Sequence, residues 1–222
     1  MEQPLTEEIF AELSKYVERH LSSAPGCHDF DHTMRVLHNS LLLSRLEQCG
    51  DTDVIRLAAL LHDIARPEEM HSEGRICHAE AGAEAVGDIL RRFGITSEEL
   101  IGSVTEAVRR HRYRGCFAPR TIEEKIIYDA DKLDSLGCIG IGRAFHFAGR
   151  IGARLHNTEE EAVNSPAYSH EDSAYREYLV KLRHVPGKML TRSGREMAVE
   201  RAARMEAFFS SLNQEIYGGG VE

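Results

Sequence analysis

The sequence predicts an all-α protein, and three observations predict it. Apolar residues recur at three- and four-residue spacing along nearly every periodic segment. No segment shows convincing period-two alternation, the mark of a half-buried strand. Side chains able to cap a helix stand before several apolar runs.

Taken in order, residues 6–21 place Ile9, Phe10, Leu13, Tyr16, Val17 and Leu21 on one helical face. Residues 32–48 carry Val36, Leu37, Leu41, Leu42 and Leu46, and the run stops at Gly50. Residues 53–65 are apolar all round, as a central helix should be. Residues 78–93 show Ala79, Ala83, Val86, Ile89, Leu90 and Phe93, ended by Gly94. Thr96 with Glu99 forms a capping-box pattern that opens the next helix, and Thr121 with Glu124 opens another. "GCIGIG" at 137–142 has spaced glycines, but no strand precedes it, so it reads as helix packing rather than a dinucleotide loop. Residues 156–173 read as a polar loop. Ser193 with Glu196 opens the last helix, whose stripe runs Val199, Ala202, Met205, Phe209, Leu212 and Ile216 to the glycines at 218–220. With no linker or repeat, the reading is one domain over residues 1–222. Its core lies over about 26–150, and C-terminal helices over about 172–217 pack on it.

Composition narrows the function classes. A chain of 222 residues, 42% hydrophobic and 28% charged, is an ordinary globular protein. A formal charge of −9 argues against a nucleic-acid or acidic-membrane surface. No run approaches the roughly eighteen apolar residues of a membrane span, and the acidic start "MEQPLTEEIF" is no secretory signal. Five scattered cysteines without C-x-x-C fit a reducing cytosol. The unusual number is twelve histidines.

Within "LAALLHDIARP", His62 and Asp63 interrupt an apolar run. A buried carboxylate is costly unless something pairs with it. The same fault recurs at His32, one turn before Val36, at His78, and at His111, three residues after Val108. It recurs again at Asp131 and Asp134 in "KIIYDADKLDSLG". One inward histidine is usually a satisfied core residue; several on separate helices point to a shared site. Imidazoles with carboxylates suit octahedral N/O ions such as Mn, Fe, Co, Ni or Mg. A cation would neutralise Asp63 and take the lone pair of His62. Helical neighbours point about 100° apart, so both reach one ion only if it lies over the seam between them. "RRHRYRG" at 109–115 is read equally as a solvated helix end and as a phosphate-binding run.

"HDFDHTMRV", "LLHDIAR" and "DADKLDSLG" together resemble the successive motifs of the HD-domain superfamily of metal-dependent phosphohydrolases. "HAEAGAEAV" and "VRRHRYRG" are similar to segments that many members place after the HD pair. The C-terminal third is similar to small stand-alone members with the "DADKLD" motif. The resemblance spans about residues 26–216. It implies an HD-type helical domain with a central divalent metal and hydrolysis of a phosphate ester or anhydride. The metal ligands it implies are His32, His62, Asp63 and Asp131. The Ala-Asp-x-Leu context favours Asp131 over Asp129. One ion is favoured, with His78 and His111 beside it as second-site ligands or phosphate contacts; two ions are the alternative.

Such a ligand set supplies hydroxide near neutral pH, with Asp63 or Asp131 accepting the proton of the water. Cations should stand near the phosphate, and Lys132, Arg35, Arg66 and Arg112 are the candidates. The expected partner is a small, nucleotide-like phosphorylated substrate, with no nucleic-acid polymer and no membrane; a homodimer stays open. Two rival readings use the same scaffold. A di-iron oxygenase would need six ligands, including His78 and His111; a binding module would keep the metal structurally. His28, His38, His71, His146, His156, His170 and His184 are read as surface or loop residues, His28 with least support because it adjoins His32.

Overall fold

The structure is a computed structural model that describes residues 5–22, 29–72, 74–112 and 117–218. Every regular element among them is helical. The first compact unit covers 1–131 and the second 132–222.

The first unit holds α1 (Glu7–Leu21), α2 (Phe30–Glu47), α3 (Thr52–Leu61), α4 (Arg66–His71), α5 (His78–Arg92), α6 (Glu98–Arg110) and most of α7 (Ile122–Leu133). Helix starts carry side-chain caps, which satisfy N–H groups that lack an intrahelical partner. Thr6 accepts from the Ile9 amide, Asp29 from His32, and Asp51 from Asp53 and Val54. α3 is the centre of this unit: Ile55, Leu57, Leu60 and Leu61 are fully buried, with α2 and α6 packed against it. α5 and α6 also pack together, with Val108 and Ile64 lying over Gly82.

The apolar run 53–65 is not one helix. α3 stops at Leu61, and residues 62–65 form turns, with the Ile64 amide bonding Leu61 O (3.1 Å) and the Arg66 amide bonding Asp63 O (2.9 Å). Pro67 is the cause. A continuous helix would need an N–H at 67 to bond the Asp63 carbonyl, and the proline ring would clash with that carbonyl. The break falls on the His-Asp pair, although His62 itself keeps helical dihedrals (φ −57°, ψ −36°).

The second unit holds α8 (Gly137–Arg150), α9 (Glu159–Asn164), α10 (Ala174–Val180), 3-10 turns at Leu182–His184 and Pro186–Lys188, and α11 (Arg192–Tyr217). α8, α10 and α11 pack around Met205 and Phe209, with Tyr178 stacked on Phe209 at 4.6 Å. Gly140 is required here, because a Cβ would stand 2.2 Å from the Ser135 carbonyl oxygen. The "GCIGIG" run is therefore packing, as the sequence predicts.

The residues just beyond Asp131 bond within the second unit. Arg201 donates to the Leu133 carbonyl (2.6 Å) and Arg143 to the Asp134 carboxylate (2.5 Å). The cap of α6 is Ser97, not Thr96, and that of α11 is Thr191, not Ser193. Thr191 accepts from Gly194, while Glu196 pairs with Arg192 instead of closing a box. The polar stretch 156–173 contains α9, opened by a full Thr158/Glu161 capping box. On α11, Val199 and Ile216 are exposed, and the buried line runs through Ala198, Met205 and Phe209.

Candidate metal centre

Four histidines and two aspartates of the first unit converge. Asp29 caps α2 and thereby sets His32 on its first inward turn, fully buried. His62 terminates α3, and its Nδ1 lies 2.8 Å from the Ala59 carbonyl. His111 terminates α6 in the same way, with Nδ1 2.6 Å from the Val108 carbonyl. A carbonyl only accepts, so both rings carry the proton on Nδ1 and turn Nε2 inward. His78 is the first residue of α5, and Asp131 lies near the end of α7.

The distances divide the cluster in two around Asp63. On one side, His32 Nε2 and His62 Nε2 are 3.3 Å apart, and each is 3.6–3.7 Å from Asp63 Oδ2. His32 Nε2 is also 3.5 Å from Asp131 Oδ1. On the other side, His78 Nε2 and His111 Nε2 are 3.1 Å apart, and lie 3.0 and 3.7 Å from Asp63 Oδ1. These two sets, His32/His62/Asp63 and Asp63/His78/His111, are each close enough to hold one ion.

Burial lowers the pKa of His62, with the Asp63 charge opposing it, and lowers that of His111 further, where His62 and His78 add to the effect. Neutral rings are the metal-binding form. The donor set therefore fits a divalent N/O-liganded cation. Asp63 is 3% exposed and Asp131 16%, so Asp131 is the carboxylate nearer to solvent.

A family model for the HD domain matches residues 29–136. The uncharacterised protein YpgQ of Bacillus subtilis is 31% identical over 214 residues, 95% of each chain. The chain belongs to the HD-domain superfamily. A crystal structure of YpgQ in complex with ADP matches 94% of this chain and 95% of its own, at 27% identity and a TM-score of 0.71. An HD-superfamily hydrolase from Bacillus thuringiensis matches 95% and 98% of the two chains, at 26% identity and a TM-score of 0.73. Together with the buried His/Asp cluster, these relations support a metal-dependent HD hydrolase in general terms.

The remaining candidates fall around the HD pair in different ways. Arg66 and Arg112 are mostly buried, and both bind Glu69, a residue that sequence reasoning passed over. Arg112 Nη1 is 2.6 Å from Glu69 Oε1, and Arg66 Nη1 meets Oε2. Glu69 Oε2 also stands 2.7 Å from His78 Nδ1. Burial raises the Glu69 carboxyl, but the His78 hydrogen bond and the two guanidiniums reverse this and hold it well below the ordinary carboxylate range. The only signal in the sequence is Glu69 three residues after Arg66, beside a proline-started turn.

Arg35 is half-buried on α2, three residues after His32. Lys132 is half-buried, follows Asp131 on α7 and is the first residue of the second unit. Of the basic run, Arg109 and Arg110 pair with Glu106, and residues 113–116, with Arg114, lie outside the described residues. Asp134 is buried as expected, but its partner is Arg143 of the second unit. His28 lies outside the described residues. His156, read as a loop residue, is buried against Tyr175 at 4.7 Å and Tyr217 at 5.7 Å.

Proposed function

We propose that the protein is a divalent-metal-dependent phosphohydrolase that cleaves a phosphate ester or anhydride of a nucleotide-like small molecule. His32, His62, Asp63 and Asp131 hold a first ion; Asp63, His78 and His111 hold a second. The observation that carries this is the division of five buried ligand side chains into two sets that share one carboxylate, with half-buried Asp131 beside the first. The sequence alone favours one ion. The convergence of His78 Nε2, His111 Nε2 and Asp63 Oδ1 within 3.0–3.7 Å of one another favours two.

Ions bound there would lower the pKa of a water and polarise a phosphoryl oxygen. Asp131, the more exposed carboxylate, would be placed to accept a proton from that water. His62 and His111 stay neutral because burial opposes their charge, so their Nε2 atoms remain available. Arg66 and Arg112 would offer guanidinium charge to phosphate oxygens, and Arg35 and Lys132 are further cations for the same charge. The ADP complex of YpgQ supports a phosphorylated, nucleotide-like ligand for this chain.

The test is phosphate or pyrophosphate release from nucleotides and aryl phosphates with Mn²⁺, Co²⁺, Ni²⁺ or Mg²⁺, in wild type and Asp63→Asn. Release that needs the ion and vanishes in the variant is the expected result. Two irons per chain with oxygen uptake and no hydrolysis would favour the oxygenase reading instead.

A further inference from the structure

We propose that Glu69 is a positioning residue that fixes the His78 tautomer and so prepares the second ion position. This rests on the two-ion reading above. His62 and His111 each give Nδ1–H to a carbonyl of their own helix, three residues back. His78 has no such carbonyl, because it is the first residue of α5. Its ring is instead braced by a side chain from α4: Glu69 Oε2 lies 2.7 Å from Nδ1.

Two guanidinium nitrogens also lie near that Nδ1, Arg66 Nη1 at 2.8 Å and Arg112 Nη1 at 3.1 Å. They cannot all be donors to it. Each guanidinium already has a Glu69 oxygen as its acceptor, and a carboxylate is a stronger acceptor than a neutral imidazole nitrogen. The Nδ1 contact to Glu69 is the shortest of the three. Nδ1 therefore carries a proton and donates to Glu69, which leaves Nε2 as the ring's ligand atom. It faces His111 Nε2 at 3.1 Å and Asp63 Oδ1 at 3.0 Å. A carboxylate behind a ligating histidine sets its tautomer, orients its ring and raises its basicity. Arg66 and Arg112 hold Glu69 ionised and in place, so the brace is a four-residue unit. The opposite tautomer would put an Nε2–H against Asp63 Oδ1, remove His78 as a ligand, and make the second ion indifferent to Glu69.

The experiment is calorimetric titration of the metal-free full chain with Mn²⁺, alongside metal analysis. Wild type should bind two ions. Glu69→Ala should weaken the second step about 10–100-fold and leave the first unchanged. Glu69→Gln, whose amide oxygen still accepts from Nδ1, should recover part of that loss. A merely structural role would weaken both steps or lower the melting temperature of the metal-free protein, with no rescue by Gln. Nitrogen-15 shifts of the His78 ring in the metal-free wild type give a check free of variants, and an unprotonated Nδ1 would overturn the proposal. Two unchanged steps in Glu69→Ala would overturn it while leaving the two-ion reading intact. A single ion in wild type would overturn both.

Discussion

Asp63 and Asp134 are both buried carboxylates, one in each compact unit, and they are held in opposite ways. Asp134 meets the guanidinium of Arg143 at 2.5 Å. Its neighbour in kind, Asp172, meets Arg176 at 2.9 Å. The second unit thus neutralises its buried acids with fixed side-chain cations. Asp63 faces four imidazoles at 3.0–3.7 Å, and burial lowers the pKa of two of these, His62 and His111. The guanidinium of Arg66 stands farther off, at 3.8 Å, and is itself paired with Glu69. Burial of an acid is therefore not the signal of a site. An acid ringed by imidazoles from separate helices is.

The widest separation between the two regions should come from removing each carboxylate. Asp63→Asn should cut turnover by about 10³-fold or more and empty both ion positions. Asp134→Asn should leave metal content at the wild-type level, measured on the same preparations. Equal metal loss in both would erase the distinction.

Breaking the pair in the second unit from its cationic side comes next. Arg143→Met takes one guanidinium from buried Asp134, leaving the charge of Arg201 in range, and should cost up to about 3 kcal/mol in denaturant unfolding, with metal stoichiometry unchanged. A neutral result would mean that Asp134 finds other compensation.

Metal should do for Asp63 what Arg143 does for Asp134. Free Mn²⁺ at about 100 times its dissociation constant should stabilise wild type by about 2.7 kcal/mol. Asp63→Asn should lose that gain. A chelator that left the wild-type melting temperature unchanged would show that the carboxylate is already balanced without an ion.

The smallest effect concerns His156, a buried histidine of the second unit outside any ligand set. Its ring nitrogens make no hydrogen bond of normal geometry, and burial lowers its pKa; the Asn213 side chain pulls the other way and Arg154 reinforces the burial. The fold therefore prefers the neutral ring. Below the ordinary value of 6.5 the unfolded chain takes up a proton that the fold resists, so this residue's contribution falls as pH drops through that range. His156→Phe keeps the stacking on Tyr175 and should flatten part of the loss in stability between about pH 8 and about pH 5. An unchanged slope would show that the ring stays solvated.

Much of this was legible in the chain. The helices follow from apolar spacing, and His32, His62, Asp63, His78, His111 and Asp131 interrupt apolar faces, as does Asp134, which pairs with Arg143 instead; the resemblance favours Asp131 over Asp129, and helical spacing agrees. The break after Leu61 was written in Pro67, but an apolar run on both sides of the His-Asp pair masked it. Glu69 was not legible. It sits in a polar stretch whose spacing carries no inward signal, and its role depends on α5 and α6 bringing His78 and Arg112 to it. The unit boundary at Asp131 was hidden for a similar reason, because α7 runs through it without interruption and only the bonds of Leu133 and Asp134 reveal it.

The central claim is that Asp63 stands between two ion positions. Anomalous diffraction at the manganese edge, from crystals of wild type grown with Mn²⁺, tests it most directly. Two peaks are expected, each about 2.0–2.3 Å from its ligands: one within reach of His32, His62, Asp63 and Asp131, the other within reach of Asp63, His78 and His111. Peaks elsewhere, or none within bonding distance of Asp63, would contradict the account.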